Sequence, residues 1–108
     1  MNTNKDDGGY VYVVEAVSTG YVKIGTTKSP DPCNRVRELQ TGCPFKLRLI
    51  ACFYVQSPLS VERELHGKIR QDEWALSPAD NEFFRMDHPV IRDLLEAPFM
   101  ALKEVIPF

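Results

Sequence analysis

Two adjacent segments near the start of the chain constrain its fold more than any other feature. The residues from Tyr10 to Ala16 and from Tyr21 to Thr26 are rich in β-branched and aromatic side chains, which strands favour. Between them, residues 18–20 are Ser, Thr and Gly, which are common in turns. Because two such runs separated by a short turn are typical of a hairpin, the pattern predicts a pair of antiparallel strands.

Two polar side chains of this hairpin are unusual choices for a dry core. Successive side chains of a strand point to opposite faces, so Tyr12 shares a face with Val14, and Lys23 shares one with Gly25. A phenol and an ammonium group can therefore meet across the two strands. The hairpin is thus a candidate for carrying chemistry as well as structure.

The rest of the chain alternates between helical and extended patterns. Asp31-Pro32 and Ser57-Pro58 each place a capping side chain before a proline, which is a helix start signal, and Gly42 is a stop signal. The predicted elements after the hairpin are a helix from Cys33 to Gln40, a strand from Lys46 to Val55, a helix from Pro58 to about Gln71, a short extended segment from Glu82 to Met86, and a helix starting at Pro89 and capped by Asp87 or His88. This order predicts an α+β fold with a small antiparallel three-stranded sheet flanked by helices.

Apolar periodicity predicts which faces are buried. In the third strand alternation places five apolar side chains on one side: Leu47, Leu49, Ala51, Phe53 and Val55. In the second helix Val61, Leu65 and Ile69 form a stripe, and Glu62 and His66 lie four residues apart along its border. On the first helix Arg35 shares a face with Leu39 and should lie close to the sheet.

Composition limits the classes of function. The chain has 108 residues, 44% of them hydrophobic, a net charge of −2 and a pI near 5.6, so it cannot coat DNA by total charge alone. A nucleic-acid role needs a local cluster of cations, and six lie between the hairpin and the third strand: Lys23, Lys28, Arg35, Arg37, Lys46 and Arg48. No apolar run is long enough to span a membrane. Three cysteines without metal-ligand spacing fit a reducing cytoplasm better than a disulfide framework or a zinc site.

The motifs of the hairpin resemble a known family. Val11-Tyr12-Val13 and the segment Lys23-Ile24-Gly25-Thr26-Thr27 are similar to the paired strand motifs of the GIY-YIG nuclease superfamily, in the branch whose second motif begins with Lys. Glu62-x-x-Leu65-His66 resembles a pattern in the central helix of that branch. Glu82-Phe83-Phe84 resembles its Glu-Trp-Phe segment, although Glu73-Trp74 is a competing candidate.

The resemblance implies a metal-dependent endonuclease that hydrolyses DNA. It makes Tyr12 the phenol near the attacking water, places Lys23 at a second tyrosine position, and makes Arg35 the phosphate ligand. Glu62 would bind one Mg²⁺ or Mn²⁺, with His66 as a neighbouring polar group. DNA contacts would come from Lys28, Arg37 and Lys46, and a homodimer or a protein partner would supply specificity.

The sequence leaves two other hypotheses open. The chain could be a catalytically silent nucleic-acid-binding or regulatory module that keeps the phosphate-binding surface, or a small α+β domain with an unrelated ligand. Taken singly, each proposed site residue is more often an ordinary strand or surface side chain. The expected organisation is a flexible leader over residues 1–9, one domain over 10–97, and an apolar tail over 98–108 that packs on the domain or on a partner.

Overall fold

The computed structural model describes residues 8–29, 31–78 and 82–96 as an α+β fold. Four antiparallel strands lie in the order β3-β1-β2-β4. The elements in chain order are β1 (Gly9–Ala16), β2 (Tyr21–Thr27), α1 (Pro32–Thr41), β3 (Leu47–Val55), α2 (Pro58–Arg70), a 3₁₀ turn (Glu73–Ala75), β4 (Phe83–Arg85) and α3 (Pro89–Glu96). The predicted tail over 98–108 and residues 1–7 of the predicted leader lie outside the described residues.

The sheet has one strand more than the sequence predicted. Phe83–Arg85 forms β4 and pairs with residues 21–23 of β2. The short extended segment predicted over Glu82 to Met86 is confirmed and contains β4, but the count of three strands was wrong, because a strand of three residues is too short to predict that it joins the sheet. Its pairing depends on contacts with β2, about sixty residues earlier in the chain, which no local pattern reveals.

The predicted hairpin is present with its predicted faces. Tyr12 pairs with Gly25 and Val14 pairs with Lys23, so all four side-chain positions lie on one face of the sheet. The turn has positive φ angles of 71° at Ser18 and 82° at Gly20. The Thr19 hydroxyl donates a 2.7 Å hydrogen bond to the Ala16 carbonyl, which closes the turn.

A β-bulge in β3 changes the faces that its apolar residues occupy. Val13 pairs with Ala51 but Val14 pairs with Leu49, so Ile50 is the extra residue. Leu47 and Leu49 therefore pack on the face of Tyr12, whereas residues 51, 53 and 55 pack on the opposite face. The predicted single apolar side of this strand was wrong, because regular alternation cannot anticipate an inserted residue.

The sheet is covered by helices on both faces. On one face α1 packs Val36 and Leu39 against a cluster that includes Tyr12. On the other face α2 and α3 cover the larger core, which contains Val11, Val13, Val22, Ile24, Ala51, Ile69, Ala75, Phe84 and Ile91. Burial of this apolar surface on both sides of one thin sheet is what stabilises the domain.

The helix start signals act as the sequence indicates. The Asp31 carboxylate accepts a 3.0 Å hydrogen bond from the Cys33 amide at the start of α1, and Gly42 follows its end. Ser57 is the N-cap of α2 but makes no side-chain capping bond. At α3 the capping residue is His88: its Nδ1 accepts from the Val90 amide at 3.1 Å.

Both ring nitrogens of the buried His88 side chain have hydrogen-bond partners. Its Nε2 lies 2.9 Å from an Asp72 carboxylate oxygen, and the Trp74 ring stacks on the imidazole with centroids 5.4 Å apart. Because Nδ1 accepts a hydrogen bond from a backbone amide, the proton of the neutral ring is on Nε2, which donates a hydrogen bond to the Asp72 carboxylate. This contact fixes the start of α3 to the end of α2.

The three cysteines are free thiols, as the sequence indicates. Cys33 is exposed, whereas Cys52 lies buried in β3 opposite Tyr12. Burial raises the pKa of the Cys52 thiol to about 11, so it stays protonated at neutral pH. Among the described residues, no helix is long and apolar enough to cross a membrane.

Two substitutions on α2 test the assigned burial. Ile69 is fully buried and Leu59 is 57% exposed. We expect Ile69→Ala to lower the free energy of unfolding by about 2–5 kcal/mol, because the change leaves a cavity. Leu59→Ala on the same helix should change it by less than about 0.5 kcal/mol. Urea denaturation followed by circular dichroism measures both, and equal effects would contradict the packing described for α2.

Candidate active site

A polar pocket of about 420 Å³ lies beside the edge of β2. Strand β4 pairs with β2 only as far as Lys23. Past that point, within the described part of the chain, no strand pairs with this edge, and side chains of α1 and α2 reach it from the two faces of the sheet. The pocket is lined by Tyr12, Lys23, Ile24, Gly25, Thr26, Arg35, Glu62, His66, Arg70 and Glu82.

All five residues predicted to be catalytic line this pocket. Tyr12 comes from β1, Lys23 from β2, Arg35 from α1, and Glu62 and His66 from α2. They are spread over fifty-five positions of sequence and converge because the two helices pack on opposite faces of one short sheet. The chemical roles assigned to them from the sequence stay predictions.

The ring of Tyr12 crosses directly over Gly25. A Cβ atom at position 25 would overlap the Tyr12 Oη and Cζ atoms, so only glycine leaves room for the phenol there. Tyr12 itself is only 1% exposed. The close approach therefore carries the hydroxyl group across β2 and into the pocket at its edge.

Arg35 contacts the Tyr12 hydroxyl group at this point. The guanidinium donates hydrogen bonds to the Tyr12 oxygen and to the Glu38 carboxylate, the latter at 3.0 Å. These two bonds, that to Tyr12 first, raise the pKa of Arg35 above its ordinary value. Arg35 is thus a permanent cation held at the mouth of the pocket.

Lys23 is held by a carboxylate from the other side of the pocket. Its Nζ donates a hydrogen bond to Glu82, and it also lies 5.8 Å from the centroid of the Phe83 ring. The hydrogen bond and the charge of Lys23 lower the pKa of Glu82. Of the two candidate acidic-aromatic segments, the one at the pocket is thus Glu82-Phe83-Phe84, whereas Trp74 packs on His88.

His66 ties α2 to the exposed edge of β2. Its Nε2 lies 3.0 Å from the Ile24 carbonyl oxygen. Because a carbonyl only accepts, Nε2 must be the donor, which fixes the tautomer of a neutral ring. The nearest Glu62 oxygen is 3.9 Å from the same nitrogen, so the two side chains are neighbours without a hydrogen bond between them.

The acidic donors of the pocket are two carboxylates, Glu62 and Glu82. Glu62 has a side chain that is 23% exposed, so its oxygens can be reached from the pocket. Among the described residues no group of three or more His, Cys, Asp or Glu side chains is placed to hold a metal. Such a donor set suits Mg²⁺, which is often bound by one or two carboxylates together with water and phosphate, and does not suit zinc.

The three residues predicted to contact DNA outside the pocket lie in different places. Lys28 follows the end of β2, where its Cγ lies close to Gly9. Lys46 lies beside the hairpin turn, where its carbonyl accepts from Val17. These two positions are separated by the length of β2, about 20 Å. Arg37 is two positions from Arg35, so it lies on the outer side of α1, and it contacts Asn34 and Asp31.

Sequence reasoning missed two features of the pocket. Arg70 was not predicted, although Glu62, His66 and Arg70 are each four residues apart and so share a helix face. Its guanidinium lies 5.6 Å from the Phe84 ring centroid. The need for glycine at position 25 was also missed, and the signal was a glycine in mid-strand facing an aromatic residue.

Comparison with known families identifies the family to which the chain belongs. The model of the T5orf172 domain matches residues 9–98, which is most of the chain. The chain belongs to the T5orf172 domain family. No curated protein and no solved structure matches it. T5orf172 domains are associated with endonuclease-like and DNA-binding proteins, so this family is consistent with interaction with nucleic acid.

The membership predicted from the sequence was therefore wrong. The matching family model is that of the T5orf172 domain, and no GIY-YIG model matches. The resemblance rested on motifs of three to five residues, two in the hairpin, one in α2 and one at β4, whose apolar positions a strand or an amphipathic helix of any family requires. Motifs this short can arise from the requirements of secondary structure alone, so they do not identify a family.

Two glycine substitutions test the contact between the strands. Alanine normally stabilises a strand or helix relative to glycine by about 0.5–1 kcal/mol. Gly67 in α2 has open space around it, so Gly67→Ala should be stabilising. Gly25→Ala should instead destabilise by about 1–3 kcal/mol, because the new methyl group displaces the Tyr12 ring. Thermal or urea unfolding measures both, and a stabilising Gly25→Ala would disprove the close contact.

Proposed function

We propose that this T5orf172 domain is a metal-dependent endonuclease that hydrolyses DNA phosphodiester bonds in the pocket beside β2. The observation that carries the proposal is the convergence of Tyr12, Lys23, Arg35 and Glu62 on one pocket. Hydrolysis of a phosphodiester needs stabilisation of negative charge and a means of activating water, and these residue types supply both. A DNA substrate and free cysteines fit the cytoplasmic location predicted from the sequence.

Arg35 binds the phosphate in this proposal. Its planar guanidinium can donate two parallel hydrogen bonds to phosphate oxygens, which a lysine cannot do. Its hydrogen bond to Glu38 and its contact with Tyr12 orient the group toward the pocket before substrate arrives. Preorganised donors of this kind stabilise developing charge at little reorganisation cost.

Lys23 provides a second positive charge. An ammonium group has three donors, so Lys23 can keep its hydrogen bond to Glu82 and still donate to a phosphate oxygen. Glu82 thus positions the lysine. The same ion pair keeps the pocket from carrying an excess of unopposed positive charge when it is empty of DNA.

Tyr12 orients the reacting water or a phosphate oxygen. A phenol has one proton to donate and two lone pairs, and Arg35 occupies one lone pair. Tyr12 lines the pocket, so in this proposal the proton and the second lone pair of Oη serve the reacting water or the phosphate. Because the ring is buried and crosses Gly25, these groups have a defined direction.

Glu62 would hold one Mg²⁺ or Mn²⁺, with His66 positioning the helix that carries it. When bound, the metal supplies Lewis-acid stabilisation of the phosphate and lowers the pKa of a bound water. The hydrogen bond from His66 to the Ile24 carbonyl holds α2, the helix that carries Glu62, at the edge of β2. A homodimer or a protein partner that adds DNA specificity stays a prediction.

Nicking of supercoiled plasmid and cleavage of branched DNA test the proposal. The purified chain should cut DNA with Mg²⁺ or Mn²⁺ and not with EDTA. Glu62→Gln should lower the rate by about 100-fold or more, since it removes the anionic metal ligand. Glu64→Gln on the same helix is the matched control, because Glu64 is exposed and paired with Lys68. DNA binding without metal-dependent cutting would favour the silent binding module instead.

Substitution of each of the two arginines of α1 distinguishes a phosphate-binding side chain from an ordinary surface charge. Arg35→Lys keeps the charge but removes the planar fork, so we expect cleavage to fall by about 100-fold with the fold intact. Arg37 lies on the outer side of the helix, and Arg37→Lys keeps its positive charge for a DNA contact there, so this matched variant should cut DNA like the natural protein. Initial nicking rates measure both, with circular dichroism as the folding control. Unchanged activity in Arg35→Lys would remove Arg35 from the site.

A further inference from the structure

An apolar groove of about 600 Å³ lies beside the proposed active site. Lys23 lines both cavities, so they share a wall. Three aromatic side chains, Tyr21, Phe45 and Phe83, line the groove, and we call it the aromatic groove. Leu39 and Leu47 are among its other lining residues.

Phe45 is the most exposed of these aromatic residues. Its side chain is 52% exposed, although it lies in a loop whose backbone is well fixed. The Gln40 side-chain amide donates to the Phe45 carbonyl at 2.8 Å, and its oxygen accepts from the Leu47 amide at 2.8 Å. The loop between α1 and β3 is thus held in place while it presents an aromatic ring to solvent, which costs hydrophobic free energy.

We propose that the aromatic groove binds an unstacked nucleobase of the DNA strand whose phosphate enters the active-site pocket. This inference rests on the proposed function and deepens it by naming the substrate class, DNA with unpaired bases. Aromatic side chains next to a cationic site are how proteins hold single strands, because every base has a face that stacks. The bases of an intact duplex are stacked inside the helix and cannot enter such a groove without being flipped out.

Lys23 makes the two cavities one binding surface. Its ammonium lies 5.8 Å from the centroid of the Phe83 ring, which lines the groove, and the same side chain lines the active-site pocket. A phosphate bound by Lys23 therefore has a base-sized apolar space on one side and the Tyr12 and Arg35 side chains on the other. A nucleotide, with its apolar base next to its anionic phosphate, has this same division of chemistry.

Binding to three short fluorescent DNAs tests the proposal with the natural protein in EDTA, where no metal-dependent cutting occurs. The DNAs are a single strand, the same strand with a central run of abasic sites, and its blunt duplex. One stacked base should make the single strand bind about 5- to 140-fold more tightly than the abasic strand. Equal affinity for the single strand and the abasic strand would overturn the proposal, since the two have the same phosphates.

Variants of the groove identify where the base binds. Phe45→Ala should lose the preference for the normal single strand over the abasic strand. Phe45→Trp, which keeps a stacking ring, should retain it. Both substitutions are at a half-exposed position, and circular dichroism verifies the fold. Trp74→Ala is the matched control, because Trp74 is 54% exposed and lies outside the groove. An unchanged preference in Phe45→Ala, or a dimer in sedimentation that Phe45→Ala dissociates, would overturn the proposal.

The outcome can be separated from that of the proposed hydrolysis. Metal-dependent cutting that requires Glu62, together with equal affinity for normal and abasic strands, would reject the nucleobase site alone. A base preference lost in Phe45→Ala, without any metal-dependent cutting, would support the nucleobase site and reject the hydrolysis.

Discussion

The contact of the Tyr12 ring with Gly25 is the interaction on which the pocket depends. Because Gly25 has no side chain, the phenol of β1 crosses its partner strand and its hydroxyl reaches the edge of the sheet. Arg35 binds that hydroxyl from α1, which places a cation of one helix beside the residues of another. A methyl group at position 25 would displace the ring, and the link between the hairpin and α1 would change with it.

The short pairing of β4 is the second constraint. A longer β4 would cover the edge of β2 beyond Lys23, and the pocket would have no opening there. Because β4 pairs only with residues 21–23, none of the described strands bonds to the Ile24 carbonyl at this edge, and His66 of α2 donates to it instead. A buried carbonyl needs a hydrogen-bond donor, and His66 provides it from α2. This bond places α2, and with it Glu62, at the same edge of the sheet as Arg35 of α1.

The electrostatics of the pocket differ from those of the whole chain. The total charge is −2, yet the cationic side chains Lys23, Arg35 and Arg70 line the pocket beside two carboxylates. Lys23 and Glu82 form an ion pair in this pocket, and the hydrogen bond and charge of Lys23 lower the pKa of Glu82. Total charge therefore says little about the charge that a ligand in this pocket would meet, which depends on the arrangement of a few charges at one edge.

The local elements of this protein follow from its amino-acid sequence alone. The hairpin, the Asp31 cap, the Gly42 stop and the apolar stripe of α2 were all predictable, because strand period, capping and helix period involve residues a few positions apart. The sequence also predicted five of the residues that line the pocket. Their chemical roles stay predictions, and the family drawn from the same motifs was wrong because those motifs are too short to separate families.

The remaining features of the site arise from tertiary packing. The bulge at Ile50, the pairing of β4 and the fit of Tyr12 over Gly25 depend on residues that are distant in sequence. The same is true of the recruitment of Arg70 and Glu82 to the pocket and of the groove that shares Lys23 with it. Local propensity fixes which segments are strands and helices, but strand register and the packing of helices on a sheet set which side chains meet, and these are properties of the whole chain.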